Sequence, residues 1–331
     1  MNRQRVLVVL VLFFLCVCAG SPFVGMTDIP AAVLFKPSAG TVAAEIFWNI
    51  RVPRVCISML TGAALALSGM TFQALFRNPL ATPFTLGVSS GASLGAALYV
   101  WTGMSFALWG ISGISVFAFT GAVLSIALVY GLIRAKGAVT PAAMLLAGVC
   151  INFSFSSLIL LIQYLADFSG SFKIVRWLMG SLETIGFEPV KNIVLFVLCG
   201  CIIIFCCINA LNLMSLGEEI AVSRGVAASK IRGLLFFATS LMVGSVVAVC
   251  GPIGFVGMMV PHICRLLVGP DHRYLMPASL LFGSSFLTVC DALARTLIAP
   301  AEIPVGVITA VLGGPFFLWL LFTWPGERIT A

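Results

Sequence analysis

Asp291 and Arg295 lie four residues apart in an otherwise apolar run, and Arg51 and Arg54 bracket Val-Pro at the head of another. A guanidinium fork matches the two oxygens of a carboxylate. These residue types therefore point to carboxylate or anion recognition, by a docking protein or by the chain itself. Opposite charges at i and i+4 share a helix face and can neutralise one another, so a structural ion pair at Asp291–Arg295 stands beside the recognition reading. Ionisable groups inside apolar helices are costly and mark function by default.

Other chemistries find little support. None of the five lysines (Lys36, Lys136, Lys173, Lys191, Lys230) stands in a G-x-x-x-x-G-K-[ST] phosphate loop, so active transport would draw its energy from another chain. His262 and His272 are the only histidines, and neither an H-E-x-x-H nor a G-x-S-x-G motif occurs. No Asp, Glu or His relay crosses the apolar runs, which counts against a proton-coupled carrier. The eleven cysteines include no C-x-x-C pair and lie mostly in apolar runs. They read as small hydrophobes, without a metal site or a disulfide framework.

The elements that must position these residues follow from composition. The 331-residue chain is 61% hydrophobic and only 9% charged, against about 25% charged in ordinary soluble domains. Its apolar runs are continuous and approach the ~20 residues that cross a bilayer as a helix, without the alternation of a barrel. The expected fold is an all-α polytopic membrane protein with ten spans, roughly 6–25, 53–76, 84–101, 106–133, 141–165, 190–212, 231–250, 253–268, 275–298 and 304–323, forming one domain over 1–331. The first run resembles a signal peptide, yet Ser-Pro follows it without a clear small-x-small cleavage site, so it is read as an uncleaved helix. The net charge of +7 is assigned to topology and not to nucleic acid.

Lysine and arginine placement sets orientation. With the N-terminus inside, Arg3, Arg5, Arg77, Arg134, Lys136, Arg224, Lys230, Arg232, Arg265, Arg273 and Arg328 are cytoplasmic. Lys36, Arg51, Arg54, Lys173, Arg176, Lys191 and Arg295 are then outside. The bias favours both termini in the cytoplasm, and the outer arginines call for another explanation.

Two loops exceed connectors. In 166–189, Val175, Trp177, Leu178 and Leu182 are expected to form one face of an interfacial helix outside. The inner loop 213–232 carries Glu218, Glu219, Arg224, Lys230 and Arg232, and Gly217 and Gly225 divide it into short helices. It reads equally as a solvated connector or a docking surface. Gly62, Ala66 and Gly69, and then Gly87, Gly91 and Gly95, have the spacing that brings helix backbones together.

RVPR at 51–54, GAALALSG at 62–69, QALFRNPLATP at 73–83, LGVSSGASLG at 86–95, CGPIGFVGMMVPHICRLLVGPDHR at 250–273 and IPVGVITAVLGGPFFLWLL at 303–321 occur in this order. Together they resemble the FecCD family, the permease subunits of binding-protein-dependent ABC importers for iron-siderophores, haem and vitamin B12. The resemblance covers about 45–322, and its last third is particularly close to the vitamin B12 branch. It implies a ten-helix, non-enzymatic subunit of the bacterial inner membrane. The partners it implies are a second permease copy, two cytoplasmic ATPase subunits that bind the ATP and magnesium, and a periplasmic binding protein. No cofactor or metal is implied in this chain. Arg51, Arg54 and Arg295 match family arginines that contact acidic residues of the binding protein. Gly217, Glu218, Glu219, Arg224 and Gly225 resemble the coupling segment that meets the ATPase, and Thr140-Pro141 falls near the cytoplasmic gate. The expected cargo is an iron-siderophore-type chelate, with vitamin B12 or haem as alternatives. An ion-coupled secondary carrier is the competing class.

Overall fold

A computed structural model describes residues 3–30, 33, 41–108, 110–135 and 140–323. Lys36, Lys136 and Arg328, which entered the charge bias, lie outside the described residues. The chain begins with α1 (Arg3–Gly20), which passes through a turn at Ser21–Phe23 started by Pro22. A short α2 (Val42–Ile46), capped by the Thr41 hydroxyl, runs through a wide π turn at Phe47–Arg51 into α3 (Val52–Phe76). Pro53 fits there because the first turn of a helix needs no N–H. Then come α4 (Val88–Trp101), α5 (Gly113–Ala135), α6 (Pro141–Leu165), α7 (Phe168–Leu178), α8 (Glu188–Cys206) and α9 (Ile208–Leu216). The chain ends with α10 (Glu218–Ser223), α11 (Ala228–Cys250), α12 (Val256–Val268), α13 (His272–Thr296) and α14 (Val305–Thr323).

Each of the ten expected spans coincides with helix. Among the described residues, seven helical stretches are long and apolar enough to cross a membrane unaided, and α12 and the 305–320 part of α14 are shorter apolar helices. Three local features depart from the sequence reading. The span expected from 106 starts at Gly113, because Ala107–Leu108 (β1) pairs antiparallel with Ile111–Ser112 (β2) in a small hairpin. The span expected at 190–212 breaks at Cys207 into α8 and α9. The outer helix α7 exists, capped by Asp167, which accepts the Gly170 N–H at 2.9 Å. Its buried residues, however, are Gly170 and Ile174, while Phe168, Phe172 and Val175 face outward. Val175 is exposed while Trp177 and Leu178 are half-buried, and Leu182 lies beyond the end of the helix, so the four residues do not form one face of it.

Helix α3 is the axis of the bundle. Every residue from Thr61 to Phe76 is buried, and its neighbours include α13, α12, α11 and α8. Lipid offers apolar side chains no reason to prefer one another, so helices in a bilayer associate through close packing. Here two glycines of α3 admit neighbouring backbones. A Cβ on Gly62 would collide with the Gly283 carbonyl of α13, and one on Gly69 with the Gly257 carbonyl of α12. The second glycine series works likewise: Gly91 and Gly95 of α4 face the backbone of α5 at Gly121 and Phe117. Exposed apolar side chains such as Leu12, Leu128, Phe153 and Leu198 lie on the outer helices α1, α5, α6 and α8. In water such a surface would associate; in hydrocarbon it is solvated.

A methyl group at Gly69 or Gly62 must displace backbone. Gly69→Ala and Gly62→Ala are each expected to cost about 1–3 kcal/mol, read as earlier thermal unfolding of detergent-solubilised protein. Gly131→Ala is the control: its added Cβ meets nothing within 4 Å, so unfolding should come no earlier than in the parent chain.

Candidate functional site

Polar chemistry gathers at the two ends of the bundle. At the first end, α3 starts where α13 finishes, because the helices run antiparallel. This puts Arg54 beside Asp291, 237 residues away in sequence. Arg54 Nε donates to Asp291 Oδ1 at 2.9 Å, and Nη1 donates to Glu302 Oε2 at 2.7 Å. Arg295 Nε reaches Asp291 Oδ2 at 3.1 Å, so the i,i+4 pair does form. Asp291 is completely buried. A buried carboxylate is costly unless paired; here Arg54 hydrogen-bonds Oδ1 and Arg295 supplies a second charge beside Oδ2, which has no hydrogen bond among the described residues.

The remaining N–H groups of Arg295 and those of Arg51 hold the segment that follows α1. Arg295 Nη1 donates to Val24 O at 2.9 Å. Arg51 Nη1 donates to Pro22 O and Phe23 O at 3.2 and 3.1 Å, and Nη2 to Thr27 O and Oγ1 at 2.5 and 2.9 Å. Gly25 lies against this guanidinium: a Cβ there would approach Arg51 Nη2 to 2.8 Å. The structure thus brings Arg51, Arg54 and Arg295 together as expected. It does not leave their forks open. The three are 5%, 6% and 5% exposed, and the oxygens they meet belong to this chain. Sequence reasoning missed Glu302 and Thr27, which complete the cluster. Glu302 had a signal: it is an acid in the short turn after the span that carries Asp291 and Arg295.

At the second end the 213–232 loop forms a helix–break–helix. Gly217 breaks it with φ +149°, a value suited to glycine. Glu218 and Glu219 then occupy the first turn of α10, where acids complement the helix dipole. Glu218 Oε2 accepts from the buried Arg232 Nη2 at 2.8 Å, which ties α10 back onto α11. Glu219 and Arg224 are exposed, and Gly225 turns the chain with φ +81°. Apolar residues here are exposed: Ile220 and Val222 on α10 are 45% and 57% exposed, and Leu216, the last residue of α9, is 68% exposed. Thr140 serves as the cap of α6, its hydroxyl accepting the Ala143 N–H at 3.3 Å, with Pro141 in the first turn.

Between the ends, an open groove of about 570 Å³ is lined by Leu178, Met179, Pro252, Gly254, Gly306, Val307, Ala310 and Val311. It has no charged lining residue. His262 is buried with its ring edge-on to Phe316 at 6.2 Å, a packing role on α12.

The structure is a bundle of long apolar helices with a buried ion cluster at one end and a short glycine-flanked helix at the other. Residues 8–323 match the FecCD transport family, and the chain belongs to that family. It is an ABC importer permease and a multi-pass membrane protein. It is 37% identical to the hemin transport system permease protein HmuU of Yersinia pestis over 328 residues, 98% of each chain. It is 39% identical to the vitamin B12 import system permease protein BtuC of Salmonella paratyphi A, over 95% of this chain and 92% of that one. A solved metal-chelate type ABC transporter in an inward-facing conformation superimposes with a TM-score of 0.87 at 32% identity, covering 97% of this chain and all of the other.

Arg54→Leu leaves Asp291 with one partner and Glu302 with none. It is expected to destabilise the protein by about 3–5 kcal/mol, the usual consequence of removing one member of a buried pair, measured as loss of monodisperse protein on heating in detergent. Glu302→Gln, at the rim of the cluster, should cost far less.

Proposed function

We propose that this chain is the membrane-spanning half of an inner-membrane importer for an iron-siderophore-type chelate, driven by separate ATPase subunits. The observation that carries this reading is the α9–α10 turn. A solvated connector has no reason to hold Leu216, Ile220 and Val222 in water beside Glu219 and Arg224. An apolar centre with a charged rim is the composition of a protein interface. We place two ATPase copies on this surface, which makes its end of the bundle cytoplasmic, with both chain termini. ATP and magnesium are then bound by those subunits, and the chain itself needs no cofactor. Gly217 and Gly225 bound the helix that moves, and the start of α6 at Thr140–Pro141 is the gate on the same side.

The second permease copy faces the apolar groove along α14, so that two grooves enclose a path. A wall of Val, Ala, Met, Pro and Gly offers no strong ligand. This suits a bulky chelate that arrives with its metal already coordinated, and it would not trap such a cargo. The relatives for hemin and vitamin B12 make those the alternative cargoes. The periplasmic binding protein docks at the Arg51–Arg54–Arg295 end. Its carboxylates enter by exchanging with Glu302, the only partly exposed carboxylate on Arg54, with a side chain 28% exposed.

The test is reconstitution of the full chain with its neighbouring ATPase and binding protein in liposomes. An iron(III)-hydroxamate, haem and cobalamin are each offered in turn. ATP-dependent accumulation of the iron(III)-hydroxamate is expected; accumulation driven by a proton or sodium gradient without ATP overturns the reading. Ile220→Asp should weaken co-purification of the ATPase about tenfold, the effect of ~1.4 kcal/mol of lost apolar contact, with the permease still folded.

A further inference from the structure

The amide of Asn212, on α9, is bonded on both of its atoms to the start of α13. Its Oδ1 accepts the His272 backbone N–H at 2.9 Å and the His272 ring Nδ1 at 2.7 Å. Its Nδ2 donates to Asp271 Oδ1 at 2.9 Å. The network settles the amide's orientation, since the reverse would set an NH2 against two N–H donors and an oxygen against a carboxylate. It also settles the His272 tautomer, because Nδ1 must carry the proton it gives to Asn212. One turn earlier, Asn209 Oδ1 accepts from Arg273 Nη2 at 3.1 Å. Two amides of a nine-residue helix therefore grip the cap and the first two residues of α13, Asp271, His272 and Arg273.

The grip falls where α13 is least able to hold itself. The first N–H groups of any helix lack intrahelical partners. Pro277 adds to this, because it has no N–H to give to the carbonyl four residues back. Asp271 caps the Arg273 N–H at 3.0 Å, and that backbone hydrogen bond is the main reason its carboxyl lies below the usual carboxylate range. Asn212 takes the neighbouring His272 N–H. His272 is 3% exposed, and its Nε2 makes no hydrogen bond among the described residues. An unpaired buried nitrogen is a cost that an apolar residue of similar shape would avoid. The one polar contact that sets the imidazole apart is the one from Nδ1 to Asn212.

The two ends of this connection matter. Six residues after Asn212, the chain enters α10, the helix assigned above to the ATPase. Nineteen residues after His272, the same continuous α13 carries Asp291 and then Arg295, the centre of the ion cluster at the other end. At 1.5 Å per residue the helix is about 37 Å long. We propose that Asn212, through His272, is a positioning residue that clamps α9 to α13 and makes α13 the rod joining the ATPase surface to the arginine cluster. This rests on the function proposed above and names the link within it. Displacement of α10 is then passed through α9 to α13, and the geometry around Asp291 changes with it.

Asn212→Leu removes all three bonds, and Asn212→Asp keeps the shape but opposes the Asp271 carboxylate. His272→Leu removes the ring donor, whereas His272→Asn retains an N–H donor near the Nδ1 position and deletes the unpaired Nε2. Each variant is reconstituted with the ATPase and binding protein. The readouts are the ratio of binding-protein-stimulated to unstimulated ATP hydrolysis, and iron(III)-hydroxamate moved per ATP. Asn212→Leu, Asn212→Asp and His272→Leu should lower the stimulation ratio about fivefold or more, the lower end of ordinary coupling strengths. His272→Asn should stay within about twofold of the parent, well inside that coupling range. Should Asn212→Leu fail to fold, the isosteric Asn212→Asp and the two His272 variants still decide. Unchanged stimulation in Asn212→Asp and His272→Leu overturns the clamp, as does equal loss in His272→Asn and His272→Leu, which would make the ring a packing element. A parent chain that binds no ATPase at all defeats the proposed function and takes this proposal with it.

Discussion

Everything in this bundle depends on α3 being narrow. A central helix needs neighbours on all sides, and in hydrocarbon those neighbours must be held by contact, not driven together by water. Gly62 and Gly69 let the backbones of α13 and α12 reach α3, and Gln73, one turn further, adds polar contacts. Its Nε2 lies 3.4 and 3.3 Å from the carbonyls of Gly257 and Met258, and its Oε1 accepts from Arg265 at 3.0 Å. The alignment of α3 with α13 in turn sets Arg54 opposite Asp291. A wider helix at Gly62 would part that ion pair as well as the packing.

The ion cluster shows how the membrane shapes polar chemistry. Among the described residues the three guanidiniums form ion pairs with two carboxylates, Asp291 and Glu302, with Asp28 interacting with Arg51 through its charge, and the carbonyls of Pro22, Phe23, Val24 and Thr27 take up further donors. Arginine suits this role because its five N–H groups can be divided among acids and backbone. The result locks the segment after α1 to the start of α3 and the end of α13. Strain is stored elsewhere, at Phe255, whose φ of +65° is unusual for a bulky residue. Its ring fills the space left by Gly313 on α14 and lies 6.4 Å from Phe317. This packing is what retains the conformation.

Much of the fold was legible in the sequence. Hydrocarbon thickness sets a minimum apolar length, so the spans could be read off as runs, and the glycine spacing marked helices in close contact. The misreadings were local. Nothing in 190–212 announced the break at Cys207, and the 106–112 hairpin is apolar enough to pass for helix. On α7, the apolar residues continue past Leu178, so composition did not mark the end of the helix, and Leu182 falls beyond it. The glycines of 213–232 were informative because a break needs a φ that glycine adopts freely. The apolar residues between them gave no warning that they would be exposed.

By itself the sequence determined that the chain spans a membrane many times, that it cannot bind a nucleotide through a phosphate loop, and, through long motifs in order, the family to which it belongs. Those properties are local: they depend on the hydropathy of a window or the identity of a short string. The tertiary structure decided which polar groups are spent and which are offered. Arg51, Arg54 and Arg295 looked like open forks because their carboxylate and carbonyl partners lie up to 271 residues away in sequence. Only the antiparallel arrangement of α1, α3 and α13 brings those partners within 3 Å or so, the distance at which a hydrogen bond forms. Asn212 was overlooked for the same reason. A single amide in an apolar helix acquires meaning when the start of another helix, some 60 residues on, is laid against it.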